Sequence, residues 1–165
     1  MYMTALIGAS LVTCAGGALG FAYAAHQKNE LAVTEAFEEL FDYLLLRLPS
    51  LLMLDELVGE FENPTLEKIG FLPILKDTKG GRTCNKRYFA AIELFSEDKG
   101  LYSVLQKAGR GLGGTEYDLQ AASLRDARDC IKLLGDKRRA AFAAGEKCYR
   151  WLGVLMGAAV SILML

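Results

Sequence analysis

Three groups of residues in this chain are of types that do chemistry, and each lacks a partner that the chemistry needs. Glu35, Glu38, Glu39 and Asp42 place four carboxylates within about two helical turns. Such a cluster could take up a divalent metal or work as a general acid–base pair, but no histidine lies nearby to complete a ligand set. On a helix these acids fall mostly on the outer, solvated face. Cys14, Cys84, Cys130 and Cys148 include no Cys-x-x-Cys pair, and the chain has 1 histidine. That pattern argues against a structural zinc site and a dense disulfide framework, and it predicts free thiols facing a reducing compartment. Two glycine-rich stretches complete the set. Asp-Thr-Lys-Gly-Gly-Arg-Thr, residues 77–83, sets cations beside a glycine pair, but it lacks the spacing and the closing Gly-Lys-Ser/Thr of a phosphate loop. Gly-Arg-Gly-Leu-Gly-Gly, residues 109–114, looks like a dinucleotide loop until its spacing is counted, and no strand precedes it. No catalytic, cofactor-binding or metal-binding residue is assigned. The chain reads as a non-enzyme with no small-molecule substrate. The alternative of an anchored enzyme working through the acids at 35–42 lacks a His–acid pair and a nucleophile motif.

The elements that carry these residues are helices. Proline is scarce, with 3 in the chain, and Asn-Gly and Asp-Gly hairpin signals are absent, so the expected class is all-α. From Leu31 to Leu45 the apolar residues recur at three and four, an amphipathic helix that ends before Pro49. Ser50 is placed to cap a helix over 51–61. Asn63-Pro64 starts another over 65–75, which Pro73 is expected to interrupt or end. A further helix is predicted over 85–97, with Tyr88, Phe89, Ile92 and Phe95 available for burial. Asp98-Lys99-Gly100 is read as its break. A short helix with Leu101, Val104, Leu105 and Ala108 on one stripe follows, and the glycines at 109–114 are read as a tight turn. Thr115 then caps one long helix that runs to Leu165, its stripe drawn through Leu119, Ala122, Ala127, Cys130, Ile131, Leu134, Phe142 and Tyr149. Gly135 and Gly145 are positions where it can bend. A helix of this span is roughly 75 Å long, too long for one small core, and it needs a partner along its length.

That partner is at the other end of the chain. Residues 1–25 carry no side-chain charge, and neither do residues 151–165. About 20 apolar residues cross a bilayer core. The first run is therefore read as an N-terminal transmembrane helix rather than a cleaved leader, since it lacks a basic start. The second, at 15 residues, is short, but Tyr149, Trp151, Lys147 and Arg150 suit an interface and extend it. Gly16 with Gly20, and Gly153 with Gly157, form small-xxx-small steps of the kind that let membrane helices pack closely. The basic flanks put residues 26–150 in the cytoplasm as a helical domain and both termini outside. Net charge is −1, but the halves differ: 11 acids against 5 bases from Lys28 to Lys79, and 9 against 14 from Gly80 to Arg150. Exposed arms of opposite sign attract weakly. The basic half has no aromatic interleaving, so no nucleic-acid partner is expected.

An N-terminal anchor, a small helical domain, a Gly-x-x-Leu-Gly turn opening a long helix and a short closing anchor together resemble stage III sporulation protein AB. The residues that carry the likeness are Gly109, Leu112, Gly113, Glu116 and Gln120, the tail Cys-Tyr-Arg-Trp-Leu-Gly-Val-Leu-Met-Gly-Ala-Ala-Val-Ser-Ile-Leu-Met-Leu, and the exit from the first anchor, residues 20–40. The likeness is strongest from Tyr102 to Leu165, and the middle from Asn63 to Asn85 has no matching motif. The family has Asp where this chain has Glu116. The resemblance implies a membrane-anchored helical bundle similar to the cytoplasmic domain of type II secretion platform proteins, with long antiparallel helices continuing into two terminal anchors. It implies a non-enzymatic scaffold in the mother-cell membrane facing the forespore, part of the stage III channel complex. Its partners would be other proteins of that complex, including a secretion-type ATPase, and the membrane, with no cofactor. Leu112, Gly113, Glu116 and Gln120 are the candidate docking or turn residues. The alternative is a platform-like component of another secretion or pilus system.

Overall fold

The computed structural model describes the backbone of residues 2–48, 54–78, 81–112 and 117–164, and side chains at 15, 18, 20–48, 54–78, 81–112, 117–145, 151, 155 and 159. Among these residues all regular structure is helical. Seven α-helices follow one another: α1 (Tyr2–Arg47), α2 (Leu54–Glu60), α3 (Pro64–Ile69), α4 (Phe71–Lys76), α5 (Cys84–Ile92), α6 (Lys99–Gly111) and α7 (Tyr117–Met164), with a 3-10 turn, Glu93–Phe95, after α5. The chain divides into two compact units, Ala32–Asp136 and the pair Met1–Leu31 with Lys137–Leu165. Both α1 and α7 contribute to each.

The Ala32–Asp136 unit is built on an aromatic hub. Phe37 of α1 meets Phe71 of α4 at 4.9 Å and Phe95 at 5.2 Å, both edge-to-face, and Phe71 meets Tyr88 of α5 at 6.1 Å. Such pairs add about 0.5–1.5 kcal/mol beyond the burial of their area. Leu40, Leu57, Leu66, Leu72, Ile92 and Leu105 are essentially inaccessible around them, each contributing about 1.5–3 kcal/mol by leaving water. The predicted faces of α1 and α6 are the ones that pack: Phe37, Leu40, Phe41 and Leu44 on α1, and Leu101, Leu105 and Ala108 on α6.

Several local expectations are corrected. The break inside 65–75 is at Gly70 and not at Pro73. Gly70 adopts φ 91°, its amide donates to the Glu67 carbonyl, and it closes α3. Pro73 then sits in the first turn of α4, where a missing N–H costs no helical bond. Asn63 caps α3 as expected, accepting from the amides of Thr65 and Leu66. Asp98-Lys99-Gly100 begins a helix instead of breaking one. Asp98 accepts from the Leu101 amide as the N-cap, and Lys99 and Gly100 form the first turn of α6. Gly109 and Gly111 lie inside α6 and not in a turn. On α7 the buried line runs through Ala121, Leu124, Ala127 and Ile131, whereas Leu119 is 66% exposed and Ala122 is exposed. Among its described positions the expected stripe holds at Ala127 and Ile131, with Cys130, Leu134 and Phe142 half-buried, and is displaced at Leu119 and Ala122, since the helix has two neighbours. Gly111 of α6 lies on Ser123, and Thr34 of α1 lies on Gly135. The helix continues unbroken through Gly135 and Gly145. The caps expected at Ser50 and Thr115 fall outside the described residues.

In the unit that holds the chain ends, α1 is half-buried at Gly20, Ala24, Gln27, Glu30 and Leu31 and exposed between them. The matching positions of α7 are Arg138, Phe142 and Gly145, again with exposed neighbours. Alternating steps of four and three are the spacing of a two-helix seam. Arg138 crosses it, donating from Nη1 to the Glu30 carbonyl at 3.1 Å. Gly20 therefore lies on the packed line. The side-chain surroundings of Gly16, Gly153 and Gly157 fall outside the described residues, as does much of both uncharged runs. Among the described residues no helix is long and apolar enough to cross a membrane.

Candidate functional site

The C-terminal end of α6 is held from α5. Thr83 starts α5 in extended backbone, which brings Asn85, Tyr88 and Phe89 against the end of α6. The Asn85 side-chain amide donates to the Gly109 carbonyl at 3.1 Å and the Leu112 carbonyl at 2.6 Å. Tyr88 donates its hydroxyl to the Leu105 carbonyl at 2.9 Å. Carbonyls in the last turn of a helix have no partner within it, so Asn85 supplies one from outside, while Tyr88 adds a second donor to a carbonyl one turn earlier. Glycine is what permits this approach. A Cβ at Gly109 would lie 2.7 Å from the Tyr88 ring, and one at Gly111 would lie 2.1 Å from Ser123 Oγ.

Of the four candidate docking or turn residues, Leu112 is 4% exposed and belongs to the core. Its side chain borders an apolar space with Leu40, Leu44, Val58, Leu75 and Tyr88. Gln120 is half-buried at the start of α7. Gly113 and Glu116 lie outside the described residues. The stripe of α6 continues from Leu105 through Ala108 to Leu112, and that periodicity was the signal that places Leu112 inside and the glycines on a helix.

The four acids of α1 do not converge. Glu39 accepts from the Asn63 side-chain amide at 2.8 Å. Asp42 accepts from Arg128 Nε of α7 at 2.8 Å. These carboxylates tie α1 to two different neighbours. Among the described residues no group of three or more His, Cys, Asp and Glu side chains could hold a metal ion.

A polar cluster that sequence reasoning missed centres on Arg87 of α5. Its side chain is 6% exposed. Nε donates to the Leu75 carbonyl at 2.8 Å, Nη1 to the Arg82 carbonyl at 2.9 Å, and Nη2 to the Asp55 carboxylate of α2. One guanidinium thus joins α2, the end of α4 and the segment leading into α5. Nothing in the local sequence distinguished Arg87 from its neighbour Lys86, which is exposed.

Protein-family models, curated proteins and solved structures offer no match to this chain.

Cys84, beside this cluster, has its thiol pushed up from 9.0 to about 11, first by burial and then by the charge and hydrogen bond of Asp55, with Arg87 opposing. The thiol stays protonated at neutral pH and is a poor nucleophile. Because the folded value is the higher one, the stability this group contributes is fully present below pH 9.0 and is lost as pH rises toward about 11. Between pH 9 and 10 the urea midpoints of the full chain are expected to fall more steeply than those of Cys84→Ala; above pH 10.0 buried Tyr88, whose hydroxyl burial also pushes up, adds a decline to both. An equal decline in Cys84→Ala between pH 9 and 10 would show that the thiol is not its source.

Asn85→Ala leaves the Gly109 and Leu112 carbonyls without their donor. A loss of about 1–3 kcal/mol is expected in urea unfolding of the full chain, with amide exchange accelerated at the end of α6. Unchanged exchange there would mean that Asn85 does not hold the end of α6.

Proposed function

We propose that this chain is a non-enzymatic scaffold held in a membrane by both of its ends, with residues 26–150 in the cytoplasm and both termini outside. Supporting this reading most directly is the unit that contains residues 1–31 and 137–165 together. Its two helices bury a narrow seam and leave large apolar side chains outward: Phe21 is 66% exposed, Tyr23 47%, Trp151 68% and Leu155 62%. Apolar side chains presented from uncharged runs favour lipid as the covering phase.

The more specific reading rests on the resemblance of Gly109, Leu112, Gly113, Gln120 and the closing tail to stage III sporulation protein AB. On that reading the chain sits in the mother-cell membrane facing the forespore. It couples a secretion-type ATPase to the stage III channel complex through a bundle similar to the cytoplasmic domain of type II secretion platforms. The experiment is purification of the tagged full-length chain from membranes of sporulating cells, after an alkaline wash, with partners identified by mass spectrometry. Retention in the washed membrane together with a secretion-type ATPase and stage III proteins is the expected result. Release by alkali would defeat the anchoring. Retention with pilin-type partners would move the chain to another secretion or pilus system.

A further inference from the structure

Between α4 and α5 lies a cleft of about 510 Å³, lined by Pro73, Ile74, Asp77, Arg82, Arg87 and Ala90. Ligand sites commonly span roughly 300–1,000 Å³, so there is room for a few side chains. Pro73, Ile74 and Ala90 form an apolar wall. The rest of the lining is charged. Arg82 is exposed, with its backbone carbonyl taken by Arg87. Arg87 is almost wholly buried and is held by Leu75, Arg82 and Asp55, with Cys84 also beside its guanidinium. From Lys76 to Arg87 the chain has 5 cations and 1 acid, and that acid, Asp77, already has an interaction of its own.

We propose that this cleft seats an acidic, partly apolar peptide segment of a partner protein. An aliphatic side chain would lie against Pro73, Ile74 and Ala90. A carboxylate one or two residues away would reach the exposed Arg82, since a guanidinium pairs with carboxylate in fork geometry. A nucleic acid fits less well, because the lining has no aromatic ring on which a base could stack. The inference stands apart from the membrane reading, and its failure leaves that reading untouched.

The test is selection of peptides from a random library against the purified full-length chain in mild detergent. Counter-selection uses the chain carrying Arg82→Glu or Pro73→Glu. Both positions are exposed, so both variants keep the fold, which thermal unfolding verifies. Enriched peptides are expected to carry Asp or Glu within two residues of Leu, Ile or Val, and to bind Arg82→Glu about tenfold more weakly, the loss of one charge-assisted bond. They should also shift the amide resonances of Ile74 and Ala90. Two results would each overturn the proposal: enriched peptides without an acid, or no peptide that binds wild type more tightly than the variants. A single-stranded oligonucleotide that binds with the same Arg82 dependence and displaces the peptides would also overturn it, in favour of a nucleic-acid site.

Discussion

Asp55→Ala is expected to destabilise the full chain by about 3 kcal/mol in urea unfolding, the lower end of what breaking a buried ion pair costs. The reason is what remains behind. Arg87 keeps its bonds to the Leu75 and Arg82 carbonyls, but its charge then lies in a site where the side chain is 6% exposed and its ion-pair partner is gone. The lower end applies because the Asp55 side chain is itself 50% exposed, so part of its strength is already screened by water. Arg87→Leu is costly for another reason, since it strips two carbonyls of their donor and leaves Asp55 free to hydrate. The two losses do not add. Once the guanidinium is gone there is no charge for Asp55 to offset, so the double variant is expected to be about as stable as Arg87→Leu alone. A double variant whose loss equals the sum of the single losses would mean that the pair is not coupled.

Gly111→Ala is the second large effect. An added Cβ would fall 2.1 Å from Ser123 Oγ and 2.3 Å from Ser123 Cβ. The hydroxyl can rotate away, but the Cβ is fixed to α7, so the two helices must separate. Overpacking of this kind costs about 1–3 kcal/mol, and the upper end is expected because a helix backbone moves rather than a side chain. Ser123→Gly removes the obstructing atoms. Combined with Gly111→Ala it is expected to recover most of the loss, after allowing about 1 kcal/mol for a glycine inside a helix. A thermal-unfolding cycle of the four proteins measures this. No recovery in the double variant would show that α6 does not approach α7 through this contact.

These two sites mark where reading the chain residue by residue stops. The periodicity of Leu101, Leu105 and Ala108 located α6, and that of Phe37, Leu40, Phe41 and Leu44 located the core face of α1. Asn63-Pro64 announced a helix start, and the side chain caps it. Gly109 and Gly111 were read as turn formers because glycine in a dense run is a turn signal. Their use here is close approach, and the obstructing atoms belong to residues up to 21 positions away, Tyr88 and Ser123. The same limit applies to the acids at 35–42. Their spacing says they share one helix, but only the placement of Asn63 and Arg128 decides that Glu39 and Asp42 serve different neighbours.

By itself the sequence determined that the described residues are helical, where α3 starts, and which faces of α1 and α6 are apolar. Those properties follow from capping residues, scarce proline and a repeat of three and four, all local along the chain. Only the tertiary structure decided that α7 buries Ala121 and Leu124 while Leu119 stays exposed, and that Arg87 joins α2, α4 and the segment before α5. Each of these depends on which second and third helix stands beside the residue. An apolar stripe wider than one neighbour does not reveal its centre, and a single buried cation looks like any other until its acceptors surround it.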